Sequence, residues 1–424
     1  MLDVIRPGDP AYRSVQHVYT ATGSPAAVVR PRSATEVGAA LGFARDAGGP
    51  LSIRSGGHGI SSVSTNDGGT VIDLSRLDAV KALGDDLVRI GPGARWGDVA
   101  AELSPLGLAI SSGDSGDVGV GGLATTGGIG LMGRAHGLTI DRLTAAELVT
   151  ADGTIRTVDA EHDPELFWAV RGAGANVGVV TSFTFRAARI PVVAHATFQY
   201  RVPDVVSFLR RWGETVEAAP RTVSAFLYLV GDGVALATVV VADENAEAAL
   251  TPFLRVAPLL GRQARLAPYA SVVAATHAPQ RGQQQARTHS GLAVHLDDTV
   301  AGHVAYLVEQ GFGQLLQIRS VGGAINDVPA ESTAYAHRHQ NFSITAVAAG
   351  RETEFDTAWD KTGSAWDGLY LSFESAFTPQ RLVEAFPPAT LRRLRAVKAE
   401  VDPDDVFNQN FPVSATACSA PDGC

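Results

Sequence analysis

Cysteine is almost absent from this sequence. The 424 residues include two cysteines, Cys418 and Cys424, and both lie within the last seven positions. Their spacing matches no zinc-binding pattern, and no histidine stands near them. The body of the chain therefore offers no catalytic cysteine, and we predict no metal site. We interpret the tail "CSAPDGC" as disordered, with a small terminal disulfide or a metal clip as the alternatives.

The sequence also lacks an excess of positive charge and any long apolar run. Lysine and arginine number 34 against 44 acidic residues, which gives a net charge of −10. A groove for nucleic-acid phosphates needs the opposite sign, so we predict no nucleic-acid partner. No apolar stretch approaches the about 20 residues that span a bilayer. The first residues resemble no signal peptide. We therefore expect no membrane partner and a cytoplasmic location.

The length and the pattern of short segments predict two domains. Residues 1–190 alternate short strand-like runs with helical stretches. Residues 33–48 predict a helix capped by Ser33 or Thr35 and ended by a glycine. Residues 145–160 predict a hairpin whose turn is Asp152-Gly153.

The composition changes near residue 191, where glycine becomes rarer. Up to about residue 375, alternating strands and amphipathic helices such as residues 205–219 predict a sheet with one covered face. Residues 389–410 then predict a helix that ends before Pro403. We predict an α+β fold, with a glycine-rich domain over 1–190 to which 376–424 return. Residues 191–375 form the second domain, an antiparallel sheet covered by helices.

What the sequence has in abundance is clustered glycine. Many of its 45 glycines fall in residues 55–59, 113–130 and 172–178. Clustered glycines let successive backbone N–H groups point into one concavity, and they let the main chain touch a ligand directly. Three such segments together indicate a long ligand with a pyrophosphate, held mostly by backbone. For any one segment, a tight turn is the alternative.

A dinucleotide fingerprint is the other interpretation of these glycines. Residues 119–124, "GVGGLA", fit the pattern G-x-G-x-x-A, and Asp141 lies at about the right distance beyond them. Such a fingerprint directly follows a buried strand and opens a helix. Here the preceding residues are polar and turn-like, and "TTGGIG" follows. We therefore do not favour a Rossmann site.

Four separated motifs, in order, resemble the berberine-bridge-enzyme-like FAD-linked oxidases of the vanillyl-alcohol-oxidase superfamily. The resemblance spans about residues 20–190 and 365–412, and it is loose in between. It implies FAD as the cofactor and a PCMH-type two-part FAD-binding domain. The motifs are "RSGGHG" (54–59), "GVGGLATTGGIGLMGRAHGLTIDRL" (119–143), "ELFWAVRGAGANVGVVTSF" (165–183) and "DPDDVFNQN" (402–410).

The resemblance makes His58 the covalent attachment residue, because the histidine of R-S-G-G-H in that family is joined to the flavin 8α carbon. A solvated loop histidine is the alternative. The best-known members add a second bond, from a cysteine to flavin C6, but the aligned residue here is Ser115. A hydroxyl is a poor substitute for a thiolate in that addition. Leu123 stands where doubly linked members often carry histidine. We therefore predict a flavin linked through His58 only, as in the singly linked bacterial branch.

The same resemblance implies further FAD contacts, although an ordinary turn is the alternative for any single glycine. Residues 55–59 would hold the pyrophosphate, residues 121–128 would form a second wall, and the two asparagines of "NQN" would approach the isoalloxazine. The predicted contacts besides His58 and Ser115 are Arg54, Ser55, Gly56, Gly57, Gly59, Val118, Gly121, Gly122, Gly127, Gly128, Asn176, Gly178, Val180, Asn408 and Asn410.

Three residues are candidates for catalysis. The family's Y-x-N-[FY] strand appears as "YLSF", with Tyr370 kept and Ser372 in place of asparagine. A tyrosine has a pKa of about 10, so it needs a neighbouring charge to act as a base. Glu374 would face the same side of a strand. His337 and Arg338, in the family's basic segment, would shape the pocket or favour the anionic reduced flavin. A structural role is the alternative for all three.

The resulting hypothesis is an FAD-dependent oxidase. A hydride passes to flavin N5 from a C–H bond next to a hydroxyl or amine of a small organic substrate, and molecular oxygen reoxidises the flavin to give hydrogen peroxide. The alternatives are a secondary-metabolite tailoring flavoenzyme, which cyclises, dehydrogenates or inserts oxygen, and a flavin-binding protein without turnover. The predicted partners are the substrate and molecular oxygen, and a homodimer is left open.

Overall fold

The computed structural model describes residues 2–243, 246–274, 282, 286–313 and 315–414. The tail with Cys418 and Cys424 lies outside the described residues. The described part of residues 1–190 contains eleven strands: β1 (Val4–Ile5), β2 (Ala27–Val29), β3 (Leu51–Arg54), β4 (Thr70–Asp73), β5 (Val80–Gly84), β6 (Leu87–Ile90), β7 (Leu108–Ala109), β8 (Leu143–Val149), β9 (Ile155–Asp159), β10 (Val179–Arg186) and β11 (Ala188–Arg189). Its helices are α1 (Tyr12–Val15), α2 (Ala34–Ala47), α3 (Trp96–Leu103), α4 (Val120–Ala124), α5 (Gly133–His136) and α6 (Pro164–Ala173).

The first sheet has the strand order β1-β2-β4-β3, with β4 parallel to both of its neighbours. All four residues of β4 are buried, as expected for a central strand covered on both faces. Helix α2 connects β2 to β3. Its N-terminus is capped by Ser33, whose hydroxyl accepts the Glu36 N–H, and it ends at Gly48 with a φ of 70°. The predicted helix and its Ser33 cap are confirmed.

The second sheet is antiparallel, in the order β5-β6-β10-β8-β9. The predicted hairpin is β8–β9. Its turn is held by Asp152, which accepts the Thr154 N–H at 3.0 Å, and by Gly153 with a φ of 87°. Between α3 and β8, the glycine-rich residues 110–142 contain no strand, and their helices are the short α4 and α5 and a 3₁₀ turn at Thr139–Arg142. Strands β7 and β11 form a separate two-stranded antiparallel sheet.

A seven-stranded antiparallel sheet dominates the rest of the chain. Its strands are β12 (Val193–Arg201), β13 (Val223–Leu229), β14 (Val234–Val241), β15 (Leu259–Ala267), β16 (Arg287–Ala293), β17 (Leu316–Ser320) and β18 (Phe342–Ala348), in the order β15-β12-β14-β13-β17-β18-β16. The helices are α7 (Val205–Ala218), α8 (Ala246–Leu250), α9 (Tyr269–Val273), α10 (Asp298–Leu307), α11 (Glu352–Asp360), α12 (Pro379–Ala385) and α13 (Pro388–Val401). Helices α7, α10 and α11 cover one face, where Phe208, Trp212 and Trp359 are buried against the sheet. These layers confirm the α+β prediction. None of the described helices is both long and apolar enough to span a bilayer.

The last two helices return to the first half of the chain. Helix α13 ends at Val401, before Pro403 as predicted, and its Leu394 is buried in the same core as Trp168 of α6. Two charged side chains fix the loop that follows. Lys398 Nζ lies 2.7 Å from Asp402 Oδ2 and donates to the Phe407 carbonyl at 2.7 Å, and both charged side chains are fully buried. This anchor sets the position of residues 406–410.

Candidate functional site

A cavity of about 360 Å³ lies where the three glycine clusters meet. Residues 55–64, 113–126 and 174–180 form its walls, and residues 370–373 and 406–410 complete it. Its size falls within the usual range for small-molecule sites. Thirteen of the predicted cofactor contacts line it: Ser55, Gly56, Gly57, His58, Gly59, Ser115, Val118, Gly121, Gly122, Gly178, Val180, Asn408 and Asn410.

Two of the glycine loops touch each other through their backbones. A Cβ on Gly56 would lie 2.3 Å from the Gly119 nitrogen, so no side chain fits between them. The Ser55 hydroxyl donates to the Pro92 carbonyl at 2.6 Å and accepts the Gly121 N–H at 3.1 Å. A Cβ on Gly122, in contrast, would meet no atom within 4 Å. The loops therefore form a fixed wall that leaves main-chain atoms open to a ligand.

His58 lies in this wall with one ring nitrogen unused. Its imidazole stacks on Tyr19, with ring centroids 4.3 Å apart and an interplanar angle of 8°. Nε2 is enclosed and has no hydrogen-bond partner among the described residues. Burial lowers the pKa of His58, against the opposing effect of the Asp117 and Asp114 carboxylates. The ring is therefore uncharged at neutral pH, and an uncharged imidazole has the lone pair that a carbon–nitrogen bond requires. The residues present thus fit a flavin attached at this position.

Four predicted contacts lie behind the cavity instead of lining it. Arg54 forms a buried ion pair with Asp73 at 2.8 Å, at the ends of β3 and β4. Asn176 accepts the Val413 N–H at 2.9 Å and donates to the Asn410 carbonyl at 3.5 Å. The remaining two, Gly127 and Gly128, have positive φ angles of 136° and 86° beside Tyr370. These four support the loops that do line the cavity.

Tyr370 lines the cavity, but its predicted partner does not accompany it. Its hydroxyl accepts the Gly128 N–H at 3.0 Å. The expected strand is wrong, because Leu371–Phe373 form a 3₁₀ turn that removes the alternation of a strand. Glu374 is consequently turned away and fully buried, where its Oε1 lies 3.0 Å from His289 Nδ1.

His337 and Arg338 also require correction, since neither lines the cavity. His337 Nε2 lies 3.2 Å from the Ala385 carbonyl, and burial lowers the pKa of this histidine to about 4. Both Nη atoms of Arg338 donate to Asp141, at 2.8 and 2.9 Å, and this ion pair is buried. Their partners are 48 and 197 positions away, so the local sequence pattern did not reveal these structural contacts.

Sequence reasoning missed the polar end of the cavity. Arg319, on β17, donates through Nη2 to Asp114 at 3.0 Å, and both residues line the cavity with Phe373. Nearby, the Ser372 hydroxyl donates to Thr126 at 2.7 Å. Asp114 stands directly before Ser115, so the motif that contains Ser115 could have indicated it. The sequence around Arg319 does not reveal its role, because its partner lies 205 positions away.

Among the described residues, no group of three or more histidine, cysteine, aspartate or glutamate side chains has an arrangement that would hold a metal ion. The described charged residues lining the cavity are Asp114 and Arg319, while most of its wall is backbone, hydroxyl and apolar. The arrangement suits a long organic cofactor held by main chain, with space for a small substrate at the polar end.

Comparison with known proteins identifies the cofactor. The FAD binding domain family matches residues 25–159. (R)-6-hydroxynicotine oxidase of Paenarthrobacter nicotinovorans is 28% identical, over 97% of this chain and 96% of the relative. The fold matches Physcomitrella patens BBE-like 1 with a TM-score of 0.87 at 22% identity, over 97% of each chain. It also matches glucooligosaccharide oxidase from Acremonium strictum, a protein described with 6-S-cysteinyl, 8α-N1-histidyl FAD, with a TM-score of 0.86 at 23% identity over 98% of each chain. The chain therefore contains an FAD binding domain, has the PCMH-type fold of its structural neighbours, and is similar to proteins that are named FAD-linked oxidoreductases and oxidases.

Proposed function

We propose that this protein oxidises a small organic substrate with an FAD that is attached covalently through His58 alone. Residues 1–190 and 376–424 bind the FAD, and residues 191–375 cover the substrate. The observation that carries the proposal is the enclosed Nε2 of His58, which has no hydrogen-bond partner among the described residues and lies in the backbone-lined wall of the cavity. Bound FAD supplies the acceptor for a hydride from a C–H bond next to a hydroxyl or amine, and molecular oxygen restores it with release of hydrogen peroxide.

The chain's own residues prepare His58 for attachment. Stacking on Tyr19 fixes the plane of the imidazole, and burial lowers the pKa of His58 so that the ring stays neutral. Ser115 takes the position at which the second bond would form. Its hydroxyl is far less acidic than a thiol and gives no comparable nucleophile at neutral pH. His58 and Ser115 together therefore favour one covalent bond to the flavin rather than two.

Tyr370 is the residue placed to form a hydrogen bond with the reacting group of the substrate. The Gly128 N–H donates to its oxygen at 3.0 Å, and Ser290 Oγ accepts the Tyr370 N–H at 3.1 Å. The side chain is buried, its oxygen is held by Gly128 and its main chain by Ser290, and among the described residues no acceptor takes its O–H, which can point at a ligand. The Gly128 amide occupies the phenol oxygen from one side and so orients the hydroxyl group.

Acid precipitation of the purified protein tests the attachment. We expect the yellow colour to stay in the denatured pellet, because a covalent bond survives loss of the fold. His58→Ala should release the colour to the supernatant, while Ser115→Ala should retain it. His162→Ala, at an exposed histidine, is the matched control. Wild-type colour in the supernatant would overturn the linkage, and a colourless protein would overturn the cofactor assignment.

Hydrogen peroxide release tests turnover. A panel of alcohols and amines, each assayed for peroxide formed per oxygen consumed, should contain substrates with a ratio near one. Oxygen consumption without peroxide, with oxygen atoms found in the product, would favour the tailoring chemistry instead. Retained flavin that no panel member reduces would contradict the proposed oxidation.

A further inference from the structure

The polar end of the cavity contains a fixed ion pair that has no part in the proposed hydride transfer. Arg319 Nη2 lies 3.0 Å from Asp114 Oδ1 and 3.1 Å from Oδ2. The Arg319 side chain is 7% exposed and that of Asp114 is 20% exposed. The pair adjoins Ser115 and Phe373 in the cavity lining, close to the turn that carries Tyr370. A role for this pair in substrate binding rests on the proposed function, since it concerns the substrate of that same site.

Asp114 is held in place by three side chains and acts as an anchor. Tyr228 donates its hydroxyl to Oδ2 at 2.7 Å, and Gln317 Nε2 donates to the same oxygen at 3.0 Å. Gln317 also donates to the Tyr228 oxygen at 2.8 Å. Burial raises the pKa of Tyr228, which keeps its hydroxyl protonated and donating. With its oxygens occupied in this way, Asp114 orients Arg319 rather than a ligand.

Arg319 has hydrogen-bond donors that its contact with Asp114 does not use. Its guanidinium lies between two phenyl rings, 5.1 Å from the Phe226 centroid and 4.3 Å from the Phe373 centroid. The contact with Asp114 uses Nη2 only. Among the described residues, neither Nε nor Nη1 has an acceptor, and Nε is an enclosed atom without a partner. A buried donor without an acceptor is costly, and a ligand oxygen would relieve that cost.

The charge balance of the cavity selects the kind of ligand. Asp114 and Arg319 offset each other, and His58 is uncharged, so the described lining has no net charge to match an ionic substrate. An additional charge in such an enclosed place would have no counter-ion. The neighbouring Phe373, Leu371 and Tyr370 present apolar and aromatic surface.

We propose that Arg319 is the specificity-determining residue of the cavity: it donates hydrogen bonds to an oxygen acceptor on an uncharged, ring-bearing substrate, and Asp114 is its positioning residue. The substrate's ring packs against the aromatic side chains beside Arg319, and its acceptor oxygen fixes which carbon faces the flavin. Amines would bind in their neutral form, and carboxylates would be disfavoured by Asp114.

Ligand titrations of the flavin-bearing protein test this assignment. Three probes of similar size are followed by the change that they cause in flavin absorbance: acetophenone, ethylbenzene, which lacks the oxygen, and benzoate, which is anionic. We expect acetophenone to bind wild type at least roughly 10-fold more tightly than either of the other two. Arg319→Met should abolish the preference for acetophenone over ethylbenzene and leave the affinity for ethylbenzene nearly unchanged.

Two further variants make the result decisive. Arg319→Lys keeps the charge and loses the planar fork, so it should lose most of the preference even if the methionine variant does not fold. Arg351→Met removes another arginine that lies over a phenyl ring, on the surface, and should bind all three probes like wild type. Unchanged selectivity in the Arg319 variants, tighter binding of benzoate, or no binding of acetophenone at millimolar concentration would overturn the assignment while the flavin stays bound. A colourless wild type would instead overturn the proposed function itself.

Discussion

At the scale of single residues, the side chains that line the cavity are fixed by contacts with neighbouring residues of the protein. The Tyr370 hydroxyl oxygen accepts the Gly128 N–H, and the Tyr370 main-chain N–H donates to Ser290 Oγ. These two hydrogen bonds fix the position of Tyr370 before any ligand binds. His58 is fixed in the same sense by the ring of Tyr19. Such preorganisation is what lets a tyrosine or histidine act without further rearrangement.

Replacing Tyr370 with phenylalanine should slow reduction of the flavin by substrate without releasing the flavin. The phenol oxygen is lost, while the ring and its packing are kept, so the expected loss in the reduction rate is roughly 100-fold or more. Rapid-mixing absorbance measurements under anaerobic conditions give this rate. Tyr306→Phe, at a half-buried tyrosine outside the cavity lining, should keep the wild-type rate. An unchanged rate in Tyr370→Phe would exclude a role for the hydroxyl.

Replacing Tyr19 with leucine should slow flavin attachment. The stacked aromatic pair contributes about 0.5–1.5 kcal/mol and fixes the plane of the His58 ring. We expect apoprotein mixed with FAD to form acid-stable colour several-fold more slowly than wild type, and to reach the same final amount. A wild-type rate would mean that the stack has no part in attachment.

At the scale of elements, the loop after α13 depends on one buried cation. Lys398→Met would leave the fully buried Asp402 without its partner, at a cost of about 3–5 kcal/mol in the free energy of unfolding. Urea denaturation measures this loss, and Lys361→Met, at an exposed lysine, is the matched control. Adding Asp402→Asn to Lys398→Met should restore part of the stability. A loss below about 1 kcal/mol would show that the loop is held in another way.

Elements with strong local signals were predictable, and those set by distant partners were not. Helix α2 and the β8–β9 hairpin follow from a serine cap and an Asp-Gly turn, which act within a few residues. Residues 371–373 were predicted as strand, but their 3₁₀ turn has Thr126 as the partner of Ser372, 246 positions away. The glycine clusters predicted a cleft, because glycine patterns act through backbone and need no partner to be recognised.

At the scale of the whole molecule, buried histidines make the stability of the fold depend on pH. Burial lowers the pKa of His337 to about 4, from 6.5 in an exposed histidine. Between these values the unfolded chain binds a proton that the folded chain does not, so stability falls as the pH is lowered from about 6.5 to about 4. His58, His136 and His195, whose pKa values burial also lowers, act in the same direction.

His337→Gln should therefore flatten the pH dependence of stability in that window. The contribution of His337 is roughly 3 kcal/mol between its two protonation limits. Urea unfolding at about pH 4.5, 5.5 and 6.5 should show a smaller loss on acidification for the variant than for wild type. His162→Gln, at an exposed histidine, should follow the wild-type curve. Parallel curves for His337→Gln and wild type would contradict the assigned protonation. The homodimer and the cytoplasmic location stay predictions at this scale.

The cavity is assembled from segments that are far apart in the order of synthesis. His58 leaves the ribosome early, whereas residues 406–410 follow some 350 positions later, after the entire seven-stranded sheet. Domains otherwise tend to fold in the order in which they emerge. The cavity therefore stays incomplete until residues 406–410 have been synthesised, and we expect flavin binding to be a late step in the maturation of the protein.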